Sequence, residues 1–245
     1  MRRRAAAVSI AAAAIAMALP AERAWPAGAA YQVDTAEVSE PGACKVESWI
    51  SSAGNRDLVA AVSPACVVNV GRPVEASAQF TRTRADGEWG TGVAPKLKTN
   101  LVPSAIGRFG VAVSANAVVD LLTGDTTAWQ VVVPATLRLS EVARINLNAG
   151  YQRDIAAAHH YFTYGAGVDL RTPDNVWTVT AEMFGQAGAI DEDTPRSVVR
   201  PRGQVGLRWR PIDDFNIDLI YGRNITGENS NWVTLATVVR FKVGP

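Results

Sequence analysis

The chain is poor in the residues from which most active sites and metal centres are built. It holds two cysteines, Cys44 and Cys66, and two histidines, His159 and His160. Neighbouring histidines on a strand leave opposite faces, which makes them poor joint ligands for one ion. Their stretch, "IAAAHHYFTY", is expected to be a solvated loop. No zinc spacing, phosphate-cradling glycine loop, dinucleotide fingerprint or G-x-S-x-G elbow occurs. An outer-membrane lipid hydrolase would have to draw its serine from Ser140, Ser197 or Ser230, with neither histidine in a recognisable motif. Asp191, Glu192 and Asp193 form an acidic tip that is expected to be solvated. The sequence thus predicts no enzyme, no cofactor and no metal.

Excess charge of one sign is missing too. The formal net charge is +1, which gives no reason to expect a nucleic-acid partner. Beyond the first twenty residues no apolar run reaches the ~18 residues that a helical membrane span requires. Any membrane crossing must therefore be made by strands.

What is present begins with "MRRRAAAVSIAAAAIAMALPAERAWPAGAA", three arginines followed by a short apolar run and small residues, the pattern of a secretory signal peptide. Residues 1–30 are set aside on that ground, with cleavage expected near Ala27-Gly28-Ala29 or Ala30 and a mature start near Tyr31. Loss of four arginines and one glutamate with that segment leaves the mature chain near −2. In an oxidising compartment the two cysteines are candidates for a bridge. They are equidistant from Asn55 in "KVESWISSAGNRDLVAAVSPA" and share a face with Val46, Ile50, Leu58 and Val62, which predicts a Cys44–Cys66 disulfide clamping the first hairpin.

From Cys44 onward, alternating or apolar runs are separated by Gly, Asn, Asp and Pro. "ARINLNAGYQRD" shows the pattern, with Ile145, Leu147, Ala149 and Tyr151 on one face and Asn146, Asn148 and Gln152 on the other. Twelve strands follow, at about 44–52, 57–69, 73–84, 88–101, 106–120, 125–138, 143–154, 159–171, 175–186, 197–210, 214–224 and 231–243. Their connections alternate between tight turns and looser loops, as bacterial barrels arrange periplasmic and extracellular sides. The expected fold is all-β, an antiparallel transmembrane barrel of about twelve strands over 44–245, preceded by a polar N-terminal lead at 31–43.

Aromatic placement favours lipid on the greasy face, because membrane barrels set rings where hydrocarbon meets headgroups. One register puts Phe109, Trp177, Trp209, Phe215 and Phe241 at the periplasmic rim. It puts Phe80, Trp129, Tyr151, Phe162 and Tyr221 at the opposite one. The other face carries the expected lumen lining: Lys96, Lys98, Arg200, Arg202, Arg208 and Arg210, with Glu75, Asp169, Glu182 and Asp218. These cations form either a stripe that favours anionic or polarisable solutes, or one half of a salt-bridged plug with the four acids. A soluble periplasmic β-sandwich with its faces reversed is the other fold these patterns allow.

The final run "NWVTLATVVRF" alternates and ends on Phe241, like the terminal strand by which outer-membrane barrels are recognised by their assembly machinery, although "KVGP" follows it. With the signal peptide, "GACKVESW", "VAPKLKTNL", "NLNAGYQRD" and "NITGENSNWVTLATVVRF", residues 44 to 241 resemble outer-membrane barrels of the MetA-pathway of phenol degradation family, often called simply transporters. That resemblance implies a passive channel in the outer membrane for small organic solutes, with membrane lipids as neighbours. A structural or adhesive barrel with a plugged lumen is the alternative.

Overall fold

The computed structural model describes residues 30–155, 157–188, 201–225 and 231–243. Twelve strands run β1 (Ala43–Ala53), β2 (Leu58–Asn69), β3 (Pro73–Ala85), β4 (Glu88–Val102), β5 (Phe109–Asp120), β6 (Thr126–Arg138), β7 (Ala143–Asp154), β8 (His159–Arg171), β9 (Trp177–Gly188), β10 (Arg202–Ile212), β11 (Phe215–Asn224) and β12 (Asn231–Lys242). Each pairs antiparallel with its sequence neighbour, and β1 pairs with β12 from Ala43↔Lys242 to Ala53↔Trp232, closing the barrel. Closure matters physically because it leaves no edge strand with unpaired backbone groups in hydrocarbon.

Many strand boundaries differ from the sequence expectation, most of them by one or two residues, and three of the differences have a turn or a bulge as their cause. β5 begins at Phe109 instead of 106, since Ala105–Arg108 closes a turn and Ile106 bridges to Arg138. β9 starts at Trp177 because Asn175, at φ 65°, completes a turn closed by Thr172. β10 runs on to Ile212 through a bulge between Trp209 and Ile212. β8 starts at residue 159 as expected, so His159 and His160, read also as solvated loop residues, are strand residues paired with Asp154 and Arg153. The expected signal peptide up to residue 29, Arg200, Ser197, Ser230 and the acidic tip at 191–193 lie outside the described residues.

The apolar face points outward. Leu207, Leu219, Leu235 and Ile50 stand side by side across four hydrogen-bonded strands, and each is 44–55% exposed. Such a continuous belt exceeds what a soluble monomer shows water and fits acyl chains instead. Phe109, Trp177 and Tyr221 are on this outer side, whereas Asn146 and Arg208 are 3% and 4% exposed inside. The reversed, soluble sandwich is thereby excluded. Trp177 and Trp209 stack at one rim with centroids 6.2 Å apart, and Trp129 and Tyr151 meet at the other at 5.4 Å.

Cys44 and Cys66 are direct cross-strand partners in the β1–β2 ladder and form the disulfide. The bond closes a loop of 22 residues of separation beside the barrel's closing seam. Replacing both by serine is expected to cost about 3 kcal/mol by releasing that loop in the unfolded chain. A gel series recording the temperature at which the compact band is lost should show the drop, and reduction of the native protein should reproduce it. An unchanged temperature would contradict a clamping role.

Candidate functional site: a lumen occupied by the N-terminal segment

Strand alternation sends one set of side chains into the barrel, and residues 31–38 enter the same space. The lead described above as polar is therefore not a solvated tail. Tyr31, Val33, Thr35, Ala36, Glu37 and Val38 are all buried. The segment forms no strand, so its backbone groups are satisfied by side chains from the wall. Glu182 on β9 accepts from Gln32 N–H (3.0 Å) and Val33 N–H (3.3 Å). Thr136 Oγ1 on β6 accepts from Ala36 N–H at 2.8 Å, and Asn100 Nδ2 on β4 donates to Ala36 O. The Asn148 carboxamide, turned so that its oxygen faces Asp34 N–H, brackets that peptide at 2.7 and 2.8 Å.

Two glycines shape the seat. A Cβ at Gly206 would collide with the Tyr31 ring, and one at Gly165 would stand 2.9 Å from Val33 Cγ2. The wall is hollowed where the segment's two largest apolar residues press on it. Tyr31 also packs beside Ala30, Ile220, Ala236 and Trp49, and the Arg208 guanidinium lies 5.6 Å from its ring centre. Burial pushes the Tyr31 hydroxyl above its ordinary range, with Asp218 adding to the effect, so the phenol stays neutral.

Charges tie the segment down. Lys96 Nζ and Lys98 Nζ each donate to Asp34 at 2.7 Å, one to each carboxylate oxygen. Arg144 bridges Glu37 (2.7 Å) and Asp169 (2.6 Å). Burial alone would raise the Asp34 carboxyl, but Lys96 and Lys98 outweigh it and hold the group well below the usual carboxylate range. A lowered folded pKa stabilises above the unfolded value and is lost only as pH falls through the folded one. The clamp is thus expected to be complete at and above about pH 4, the ordinary aspartate value. Infrared titration of the carboxylate band, with Asp34→Asn as reference, should show Asp34 ionised down to that pH. A midpoint at or above it would contradict the paired geometry.

The lumen residues anticipated from sequence are found as follows. Arg208 makes a two-point pair with Asp218 (Nε to Oδ1 2.6 Å, Nη2 to Oδ2 3.1 Å), and Asp169 takes Arg144, Asn146 and Thr180. Glu75 receives Lys45 at 3.5 Å, and Lys45 also reaches Glu47 at 3.1 Å. Gln204 donates to Glu182 at 2.7 Å. Arg210 lies at the tight-turn rim and donates to Asn175 Oδ1 at 3.3 Å. Arg202 borders the cavity described next. Asp34, Glu37, Lys45, Glu47, Arg144, Gly165 and Gly206 were not anticipated. The one available signal was the alternation of Tyr31, Val33 and Thr35 in the stretch read as a polar N-terminal lead.

Above the segment a cavity of about 950 Å³ extends to the β1–β2 turn at Gly54, Asn55 and Asp57. Its floor is Tyr31, Gln32 and Asp34, and its walls carry Trp49, Gln79, Asn116, Gln130 and Trp232 among others. A side chamber of about 270 Å³ shares Asp34, Lys96 and Arg202 with it. Below the floor, beside Val33, Arg144 and Arg208, lies a small void of about 10 Å³, about the space of one water. The histidines take no part in this interior as a pair. His160 contacts Tyr151 and Arg153 on the outer face, while His159 Nδ1 lies 3.1 Å from Tyr161 Oη. Among the described residues no group of three or more His, Cys, Asp or Glu side chains is placed to hold a metal ion.

Solved structures similar in fold include outer-membrane porins and channels. The NanC porin is 8% identical, covering 79% of this chain and 98% of its own, with a TM-score of 0.62. The KdgM porin, solved with disordered oligogalacturonate, is 8% identical, covering 80% and 99%, with a TM-score of 0.59. An outer-membrane channel from Pseudomonas putida F1 is 15% identical, covering 83% and 97%, with a TM-score of 0.57. At these identities the likeness is one of fold: a closed outer-membrane barrel. No curated protein sequence matches the chain. The comparisons support the barrel seen in the sequence but not the phenol-degradation family it resembled. The family profile that does match spans residues 15–241, and the chain belongs to the family described as Uncharacterised conserved protein UCP029691.

Proposed function

We propose that the protein is a passive outer-membrane channel for small polar organic solutes, narrowed in its periplasmic half by its own N-terminal segment, and that it is not an enzyme. The observation that carries this reading is the cavity of about 950 Å³ inside a polar lumen, a size in the range of small-molecule sites. Its orientation is read from the connections: those at the rim where both chain ends lie span two to six residues, and the longest of all, between β9 and β10, is at the other, as in barrels with periplasmic turns and extracellular loops. The cavity then faces the cell exterior and the docked segment faces the periplasm. The porin folds above are compatible with such a role.

The cationic stripe does not carry over into a preference for anions. Lys96 and Lys98 share Asp34, and Arg208 is taken by Asp218. With these charges answered internally, solutes are sorted by size and hydrogen bonding more than by sign. Liposomes containing the purified protein should swell slowly in small sugars and amino acids, with weak charge selectivity in planar bilayers. Strong cation or anion selectivity would contradict the size-sorting reading. A second reading, a barrel permanently plugged and kept for a structural role, is favoured by the docked segment itself. It predicts no swelling with the intact chain.

A further inference from the structure

Three strands end at the long-loop rim with the same outward pair, an aromatic followed two residues later by arginine: Phe80 and Arg82 on β3, Tyr151 and Arg153 on β7, Tyr221 and Arg223 on β11. Residues i and i+2 share a face, so each arginine's Cα stands about 7 Å beyond that of its aromatic along the strand. In a ring of twelve strands, β3, β7 and β11 are each four apart, which spaces the pairs evenly around the barrel.

The rows on either side of each step differ in chemistry. Phe80 is flanked by Val62 and Val93, Tyr151 by Val131 and Phe162, and Tyr221 by Val205 and Val233. One pleat further out the row through Arg153 is Trp129, Arg153, His160, and Arg82 lies with its guanidinium carbon 5.0 Å from the Trp89 ring centre. Arg84 joins the same ring at 5.5 Å. Arg82, Arg84 and Arg153 form no ion pair among the described residues, unlike the paired arginines of the lumen. The other rim lacks this pattern: two residues outward from Phe109, Trp177 and Phe215 stand Gly107, Asn175 and Asp213.

We propose that these three aromatic-x-arginine steps are binding sites for phosphate-bearing lipid headgroups of the outer leaflet. The rings lie at the hydrocarbon edge. The guanidinium forks, one step higher, match phosphate oxygens in shape and charge. The lipid origin of the phosphate follows from position, since each arginine stands directly above the acyl-chain belt and outside the barrel. The inference rests on the membrane orientation assigned above, but not on whether the lumen conducts.

The test compares the wild type with a combined Arg82→Gln, Arg153→Gln, Arg223→Gln variant in neutral detergent micelles doped with phosphatidic acid. For the wild type, the temperature at which the compact gel band is lost is expected to rise by about 5 °C, as for a saturating ligand of the folded state. The triple variant should lose that rise, and a control carrying Arg72→Gln and Arg108→Gln at the opposite rim should keep it. Inorganic phosphate at the same concentration should have no effect. An equal rise in the triple variant, an equal effect of free phosphate, or no rise in the wild type would each overturn the proposal. A triple variant that still fractionates with membranes and gives a compact band would show that the barrel and its location are intact.

Discussion

Removal of residues Tyr31 to Ser39 is expected to raise single-channel conductance by an order of magnitude while leaving the barrel folded. The segment packs against the wall below the cavity, where the void beside Val33 is about 10 Å³, and conductance depends on the narrowest open section. Glu40, Gly42 and Ala43 stay in place to hold the entry to β1, where Ala43 N–H donates to Glu40 O and Gly42 N–H to Val67 O. The wall strands keep their own ladders, so the compact gel band should survive. Asp34→Lys is a gentler route to the same end. It sets a third ammonium against Lys96 and Lys98, which now share one carboxylate, and like charges at that distance in a confined space repel. Frequent large openings are expected from it. If both variants conduct no better than the intact chain, the docked segment is not what limits passage. If the intact chain is silent and only the variants conduct, the plugged reading is the correct one.

Asp218→Ala is expected to lower stability by about 3–5 kcal/mol, since it leaves a buried guanidinium without its partner. Arg208 and Asp218 have side chains 5% and 1% exposed, and Asp218 also accepts from Asn216 at 3.0 Å. The loss is expected to spread to the seat of the N-terminal segment, because Arg208 lies against the Tyr31 ring. The double variant Arg208→Met, Asp218→Leu should recover most of the loss, because a well-packed apolar pair removes the desolvation cost along with the attraction. Urea-induced unfolding in micelles, read by tryptophan fluorescence, would give both values. A single variant as stable as the wild type would mean that water reaches Arg208.

How the two interior systems differ explains what the sequence did and did not reveal. The wall was legible. Alternation sorted each strand into an apolar and a polar face, and the two cysteines could be paired because their spacing about Asn55 equals the hairpin register, Cys44↔Cys66. The boundary errors at β5, β9 and β10 all fall where turns or a bulge override the alternation, at Gly107, Asn175 and Trp209–Ile212. Strand side chains are governed by a local, two-residue period, which is why they can be read without coordinates.

The occupant of the lumen was not legible. "YQVDTAEVSEPGA" has no ladder of its own, and its partners Thr136, Asn148, Glu182 and Gly206 lie roughly a hundred residues or more further along the chain. Glycine at 165 and 206 looked like ordinary strand dilution until Val33 and Tyr31 were found against them. The lysines at 96 and 98 were expected to line the lumen, but their partner Asp34 was read as part of a polar N-terminal lead.

The amino-acid order alone determined that this chain forms a run of antiparallel strands, which of their faces is apolar, and where its disulfide lies, because each of these follows from short-range periodicity and hairpin register. Tertiary structure alone decided that the interior is occupied and its charges are matched, because those contacts join a non-repeating segment to strands distant in sequence, and no local rule specifies such pairings.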